Sequence, residues 1–191
     1  PDWFLAISPY GKVPVLRVGE HAIFESTIIN EFIEETAAGD PLLSADPVER
    51  AHERAWVLFG SDLNLPTYRL SVAEDGAEAG SEAKQAREHM ARLEAHIAED
   101  GPWFKGERFT LVDVATAPPL QRLLWMDQMV PKLKLFAGAP KVRAWAGRLV
   151  EHPAVQASTV SDIYDRFLAY LKGDRGVKLQ TGPSWVARHS A

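Results

Sequence analysis

Two neighbouring residues, Glu25 and Ser26, place a carboxylate and a hydroxyl at the predicted start of a helix. Apolar residues recur at helical spacing directly after them, between residues 28 and 33. A helix N-terminus offers unpaired backbone N–H groups and the positive end of the helix dipole, so a ligand carboxylate is favoured there. Glu25 can accept a hydrogen bond from an ammonium group. Together the two residues suit the α-amino acid end of a ligand.

A second set of potential ligand contacts lies in the segment before Glu25. β-rich runs on either side of Gly19-Glu20 predict a hairpin over about residues 13 to 24, because Gly19 can adopt the positive φ of a tight turn. Pro14 cannot donate to a strand ladder, so it belongs at an edge, where its bond to Val13 can be cis. A cis bond would leave the Val13 N–H and C=O outward, where they can pair with a short peptide.

Each of these residues also has an ordinary explanation. Ser26 can be a helix N-cap, Glu25 a solvated charge and Pro14 a rigid edge residue. Their order and spacing are more specific than any one of them alone.

Three stretches of the chain resemble the cytosolic glutathione S-transferase superfamily. They are Gly-Lys-Val-Pro-Val-Leu at 11–16, the Glu25-Ser26 pair, and a helix start at 109–114. The resemblance extends over about residues 1 to 172, and the opening residues 1–11 look most like omega-class and related bacterial enzymes. It implies an α/β, thioredoxin-like N-terminal domain, here truncated, followed by an all-α C-terminal domain.

The resemblance assigns roles to the residues of the first domain. Val13 would pair its main chain with the cysteinyl part of glutathione, next to a cis Pro14. Glu25 and Ser26 would hold the γ-glutamyl end. Lys12 would approach the glycyl carboxylate or be solvated.

The family's catalytic Tyr, Ser or Cys belongs to a βαβ unit that would precede Pro1 by roughly 40 residues. We therefore expect the catalytic residue upstream of Pro1. Since the chain does not begin with Met, we also expect it to be a fragment, a processed form or an incomplete sequence.

The implied activity is transfer of the glutathione thiol to a hydrophobic electrophile, as in detoxification, or its exchange with a disulfide. The alternative is a non-catalytic binding or regulatory module of the same fold, as in bacterial relatives that act on the transcription machinery. The resemblance also implies a homodimer, with the first domain of one subunit on the helices at about 47 to 100 of the other.

The domain boundaries follow from a change of pattern near residue 40, where Gly, Asp and Pro mark a linker. We predict a partial thioredoxin-like, glutathione-binding domain over 1–38, an all-helical domain over 45–172 and a tail over 173–191 that is mobile or straps the surface. The predicted helices span about 47–70, with Pro66 kinking or ending the first, then a second helix marked by apolar positions from 83 to 97, and helices over 110–129, 140–150 and 154–172. Residues 74–80 are predicted to form an acidic loop.

Two groups of side chains in the predicted helical domain have recognisable roles. Thr110 and Asp113 have the spacing of a capping box and are interpreted as structural. Four aromatic residues are candidates to line a co-substrate site between the domains, each of which could equally be core: Tyr68, Trp125, Tyr164 and Phe167.

Composition excludes several other classes of protein. The formal net charge of −5 provides no broad basic field, so nucleic acid is not an expected partner. The absence of cysteine excludes disulfides and thiolate metal sites, and the six histidines form no convincing metal motif. No run of 18 apolar residues predicts a membrane span. We expect a cytoplasmic protein without a metal cofactor.

Overall fold

The computed structural model describes residues 1–174 and 182–190. The first part contains a short helix, a two-stranded antiparallel hairpin and a second helix; the rest is helical. The elements in chain order are α1 Asp2–Ile7, β1 Val15–Val18, β2 His21–Phe24, α2 Ser26–Thr36, α3 Pro47–Asp62, α4 Asn64–Val72, α5 Gly76–Glu94, α6 Leu111–Met129, a 3₁₀ turn Pro131–Leu133, α7 Pro140–Glu151, α8 Pro153–Ala157, α9 Ile163–Leu171 and α10 Trp185–His189.

The hairpin follows the predicted register. Val15 is opposite Phe24 and Val18 is opposite His21, so the turn contains only Gly19 and Glu20. Gly19 has a φ of 58°, the positive value that favours glycine in this turn. The predicted hairpin over about residues 13 to 24 is therefore confirmed.

The helices from α3 onward share one continuous hydrophobic core. Within it α6 is central and packs against both α3 and α7, while α4 packs against α5. The crossing of α3 and α6 is close, because a Cβ added at Gly60 would lie 2.2 Å from the Thr116 hydroxyl oxygen. A side chain at position 60 would therefore require either the Thr116 side chain or the two helices to shift.

The N-terminus of α6 is stabilised by the predicted capping box. Asp113 accepts hydrogen bonds from the N–H and hydroxyl of Thr110, each at 2.8 Å, from the Phe104 N–H at 3.0 Å and from the Trp145 indole at 2.8 Å. Burial raises the pKa of Asp113, and the four hydrogen bonds oppose that change. All the oxygens of this fully buried carboxylate are engaged by protein groups, so its role is structural.

The predicted interruption of the helix over 47–70 by Pro66 is confirmed, and the break lies one turn before the proline. The chain forms two helices that meet at Leu63, because the ring of Pro66 blocks the carbonyl of Asp62, four residues earlier. Pro66 itself lies in the first turn of α4, where its missing N–H removes no helical hydrogen bond.

The predicted acidic loop over 74–80 was wrong. Helix α5 begins at Gly76, since the Asp75 carboxylate accepts hydrogen bonds from the Ala77 and Glu78 N–H groups as an N-cap. Likewise the predicted helix over 154–172 is two helices, α8 and α9. Ser158 donates its hydroxyl hydrogen bond to the Val155 carbonyl, a local bond that competes with continuation of the helix.

Part of the predicted tail packs on the helices. The Trp185 N–H donates to the Ala73 carbonyl at 2.7 Å, and Val186 is fully buried. The Ser184 N–H donates to the Leu171 carbonyl at 2.8 Å. This described end therefore crosses the helical part as a strap, whereas residues 175–181 and 191 of the predicted tail lie outside the described residues.

Candidate functional site

The loop before β1 presents Val13 to solvent. The Val13-Pro14 peptide bond is cis, as predicted, and Val13 is 80% exposed. Lys12, the residue before Val13, is held by the buried Ser8 hydroxyl. That hydroxyl donates to the Lys12 carbonyl at 2.8 Å and accepts from the Lys12 N–H at 3.1 Å. The Lys12 backbone is thus held while its side chain remains exposed.

The backbone polar groups of Val13 have no hydrogen-bond partner among the described residues. The first paired residue of the strand is Val15, so Val13 lies beyond the end of the β1–β2 ladder. A donor and an acceptor are therefore available at this edge for the backbone of a peptide.

Glu25 links β2 to α2 in an uncommon backbone conformation. Its φ is 71° and its ψ is 117°, in a region that residues other than glycine rarely adopt. Non-glycine residues with positive φ cluster at functional sites, where surrounding structure compensates about 1–3 kcal/mol of strain. The exposed Glu25 side chain lies at the N-terminus of α2.

Ser26 is the first residue of α2 and does not act as its N-cap. Its exposed hydroxyl has no hydrogen-bond partner among the described residues. The first helical N–H to be paired is that of Ile29, which donates to the Glu25 carbonyl at 2.9 Å. The N–H groups of residues 26–28 therefore remain open for an anion, together with the Ser26 hydroxyl.

The hairpin brings these two sets of groups to the same end of the sheet. Val15 and Phe24 form the last pair at this end of the ladder. Pro14, which precedes Val15, and Glu25, which follows Phe24, therefore lie next to that pair on opposite strands. Tyr10, in the loop before Lys12, packs edge-on against Phe24 with ring centroids 6.3 Å apart. Five residues predicted from the sequence are thus gathered at one end of the hairpin: Lys12, Val13, Pro14, Glu25 and Ser26.

A cavity of about 380 Å³ lies among the helices α4, α6 and α9. Three of the four aromatic candidates line it, namely Tyr68, Trp125 and Phe167. Tyr164 packs edge-on against Trp125, with ring centroids 5.2 Å apart. The lining comes only from the helical part of the chain, whereas the sequence predicted a site between the two parts.

Sequence analysis missed Arg122, which also lines this cavity. Its Nη1 donates to the Pro118 carbonyl at 2.8 Å, and burial lowers the pKa of the guanidinium. The available signal was that Arg122 is the one cation within the sequence of α6.

The histidines are placed as structural side chains where their contacts are described. His89 is half-buried, stacks on Phe59 with ring centroids 4.0 Å apart, and contacts the Phe59 carbonyl through Nε2 at 2.6 Å. Burial lowers the pKa of His89. Within residues 1–174 and 182–190, no cluster of His, Asp and Glu could hold a metal ion.

In the part of the chain that the structure describes, no helix combines the length and apolar character needed to cross a bilayer.

Comparison with known proteins identifies the family. The model of the glutathione S-transferase N-terminal domain matches residues 1–36, and that of the C-terminal domain matches residues 68–148. A probable glutathione S-transferase of Glycine max is 32% identical over 177 residues, which cover 90% of this chain and 76% of the relative. A stringent starvation protein A homolog of Haemophilus influenzae is 36% identical over 151 residues, or 78% of this chain and 68% of the relative.

A solved structure has the same fold. Glutathione transferase Omega 3C of Trametes versicolor superposes with a TM-score of 0.67 at 28% identity, covering 88% of this chain and 74% of that chain. The architecture is that of a thioredoxin-like N-terminal domain followed by a helical C-terminal domain. On sequence and fold together, this chain belongs to the cytosolic glutathione S-transferase superfamily.

Proposed function

We propose that this protein binds glutathione at the end of the hairpin and transfers its thiol to an electrophile or exchanges it with a disulfide. The Val13 backbone pairs with the cysteinyl part of glutathione, beside Pro14. Glu25 accepts from the γ-glutamyl ammonium group, and Ser26 with the first N–H groups of α2 binds the γ-glutamyl carboxylate. Lys12 is positioned to approach the glycyl carboxylate.

The observation that carries this proposal is the state of Ser26. A serine at a helix start ordinarily caps its own helix, yet here neither the hydroxyl nor the adjoining N–H groups have a partner among the described residues. Two charged ends of an amino acid need the complementary pair of groups that Glu25 and Ser26 present. The related probable glutathione S-transferase of Glycine max supports glutathione as the ligand.

In the transfer reaction the glutathione thiolate attacks the electrophilic carbon and forms a C–S bond. The leaving group departs with the bonding electron pair, and the thiol proton passes to solvent. The thiol pKa must be lowered for this attack. We propose that the group that lowers it lies upstream of Pro1, and that the acceptor occupies the cavity of Trp125 and Phe167.

The domain organisation and assembly are part of the proposal. We propose a glutathione-binding domain over 1–38, a helical domain over 45–172 and a tail over 173–191. The first boundary is supported by the change, after Thr36, from a hairpin with short helices to helices alone. We propose a cytoplasmic homodimer in which the first domain of one subunit contacts the helices between about 47 and 100 of its partner.

A second function is favoured by one observation. The stringent starvation protein A homolog is related to this chain at 36% identity, although its name denotes no transferase. A non-catalytic binding or regulatory module is therefore the alternative. Unlike the transferase, it would not catalyse transfer or exchange of the glutathione thiol.

Calorimetric titration of the protein with glutathione at neutral pH tests the proposed site. Saturable binding is expected, and Ser26→Ala should weaken it by about 1 kcal/mol or more, roughly fivefold in Kd, because a hydrogen bond to a charged group is lost. Ser81→Ala is the matched control, since Ser81 is an exposed helical serine on α5. Equal affinity of Ser26→Ala and wild type would contradict the role of Ser26.

Turnover separates the two functions. A transferase should conjugate glutathione to 1-chloro-2,4-dinitrobenzene or reduce hydroxyethyl disulfide. Glutathione binding without either reaction would favour the non-catalytic module.

A further inference from the structure

The cavity among α4, α6 and α9 is lined by aromatic side chains and also by Arg122, a positively charged residue without a counter-ion among the described residues. This inference deepens the proposed function, because it takes the cavity as the site of the acceptor. The residues that line the cavity are Asn64, Thr67, Tyr68, Ser71, Arg122, Trp125, Ile163, Arg166, Phe167 and Tyr170.

The walls suit a flat apolar group. Trp125 and Phe167 have ring centroids 5.4 Å apart, and Tyr164 packs edge-on against the same indole with ring centroids 5.2 Å apart. Phe167 is buried, whereas Tyr68 of α4 is exposed. Aromatic surfaces arranged in this way bind an aromatic or extended aliphatic body through burial and ring contacts.

The two arginines of the cavity differ in their partners. The Arg166 Nε is 2.9 Å from the Asp162 carboxylate, so its charge is compensated by an ion pair on the same helix end. Arg122 has no carboxylate within ion-pair distance among the described residues, and its only described acceptor is the Pro118 carbonyl. Among the described residues, none of those that line the cavity carries a carboxylate.

Three polar side chains of α4 that line the cavity donate hydrogen bonds to backbone carbonyls of their own region. The Thr67 hydroxyl donates to the Leu63 carbonyl at 2.7 Å, and the Ser71 hydroxyl donates to the Tyr68 carbonyl at 2.6 Å. The Asn64 amide donates to the Ser61 carbonyl at 2.9 Å. None of these three side chains accepts a hydrogen bond from Arg122 among the described residues, so its guanidinium retains N–H donors beyond the one that bonds the Pro118 carbonyl.

A half-buried guanidinium without a counter-ion is electrostatically unfavourable. Burial lowers the pKa of Arg122, and no charged group is among the causes of that shift. Arginine nevertheless stays protonated in proteins, so the site keeps its positive charge. A ligand carboxylate that reached Arg122 would compensate the charge and could accept two parallel hydrogen bonds.

We propose that the acceptor substrates of this cavity are aromatic or aliphatic carboxylates, with the apolar body on Trp125 and Phe167 and the carboxylate on Arg122. Selection among electrophiles then depends on their charge as well as on their hydrophobicity.

The test compares two probes of nearly equal shape, 4-phenylbutanoate and its neutral amide 4-phenylbutanamide. Calorimetric titrations of the full chain without glutathione should show the carboxylate binding about tenfold more tightly, as expected for a charge-assisted contact. Equal binding of the two probes to wild type, or no binding of either, would overturn the proposal.

Variants then locate the preference. Arg122→Gln should bring the two affinities to within about twofold, whereas Arg122→Lys should keep part of the preference because it keeps the charge. Arg87→Gln is the matched control: Arg87 donates to a backbone carbonyl, that of Leu133 at 2.8 Å, but does not line the cavity. A preference that survived in Arg122→Gln would also overturn the proposal.

One further measurement and one feature of the design make the result interpretable. Near-UV circular dichroism establishes that each variant is folded; if Arg122→Gln does not fold, wild type and Arg122→Lys still decide the question. Because these titrations contain no glutathione, the carboxylate preference is measured independently of the Ser26 site. A protein that binds the carboxylate but not glutathione would retain the carboxylate site at Arg122 and lose the proposed transferase function.

Discussion

The segment up to Thr36 and the helices from Pro47 onward bury their apolar side chains to very different extents. Among the described residues of the first segment, Ile29 is the one buried apolar side chain, and it lies outside the main hydrophobic core. Trp3, Tyr10 and Val13 are each more than two-thirds exposed. The helices instead enclose a continuous core in which Trp145 and many aliphatic side chains are fully buried.

Two polar contacts link α2 to the rest of the chain. Arg54 of α3 forms a bidentate ion pair with Glu31 of α2, with the shortest N–O distance at 2.6 Å. The Leu43 N–H donates to the Glu34 carboxylate at 2.9 Å. Stability therefore resides mainly in the helices, whereas the proposed glutathione site lies in the segment with little burial. This difference predicts that mutations separate stability from ligand binding.

The largest effect is expected at Asp113. Asp113→Ala removes the acceptor of four buried hydrogen bonds, so the free energy of unfolding should fall by about 3 kcal/mol or more. Urea denaturation measures the loss. Asp40→Ala, at an exposed residue, should change stability by less than about 0.5 kcal/mol. A loss below about 1 kcal/mol for Asp113→Ala would show that the helical core does not depend on this carboxylate.

A smaller effect is expected where the two regions meet. In a double-mutant cycle, Glu31→Gln and Arg54→Gln should show a coupling of about 1 kcal/mol, because the pair is bidentate but partly exposed. Hydrogen exchange of the α2 amides is the measurement, and the coupling should decrease at high salt. The Arg17–Glu20 pair, at 3.7 Å on the exposed hairpin, provides the control and should show almost no coupling. Equal coupling in both pairs would contradict a specific junction.

The smallest effect concerns the pH dependence of the helical region. Since burial lowers the pKa of His89, the unfolded chain binds the proton more readily than the folded protein as the pH falls below about 6.5. The stability that His89 contributes is thus complete above that pH and decreases on acidification. Between pH 7.5 and 5.5, wild type should lose at most about 1 kcal/mol more than His89→Gln in urea titrations. Parallel curves for the two proteins would exclude His89 as a source of the dependence.

Local sequence signals predicted the elements whose causes are themselves local. The turn at Gly19, the capping box of Thr110 and Asp113, and the end of α6 near Met129 all depend on neighbouring residues. The start of α2 at Ser26 was predicted for the same reason. These features supplied the family and the position of the candidate glutathione site.

Features that depend on distant contacts or competing local bonds were harder to predict. The interruption by Pro66 was predicted, but not its position, because the break lies earlier, at the Leu63 junction. The gap between α8 and α9 contains Ser158, whose hydroxyl bond is invisible to apolar periodicity. Arg122 acquires its interest only when α4 and α9 enclose it, so its position in α6 alone indicated an ordinary surface charge.

The backbone of Glu25 has a consequence for engineering the protein. A glycine at this position would avoid the Cβ contacts that disfavour positive φ, so a screen for thermal tolerance alone would tend to select Glu25→Gly. The same substitution would delete the carboxylate proposed to hold the ligand's ammonium group. Libraries intended to yield a more heat-resistant protein should therefore keep position 25 constant, or select for ligand retention in the same round.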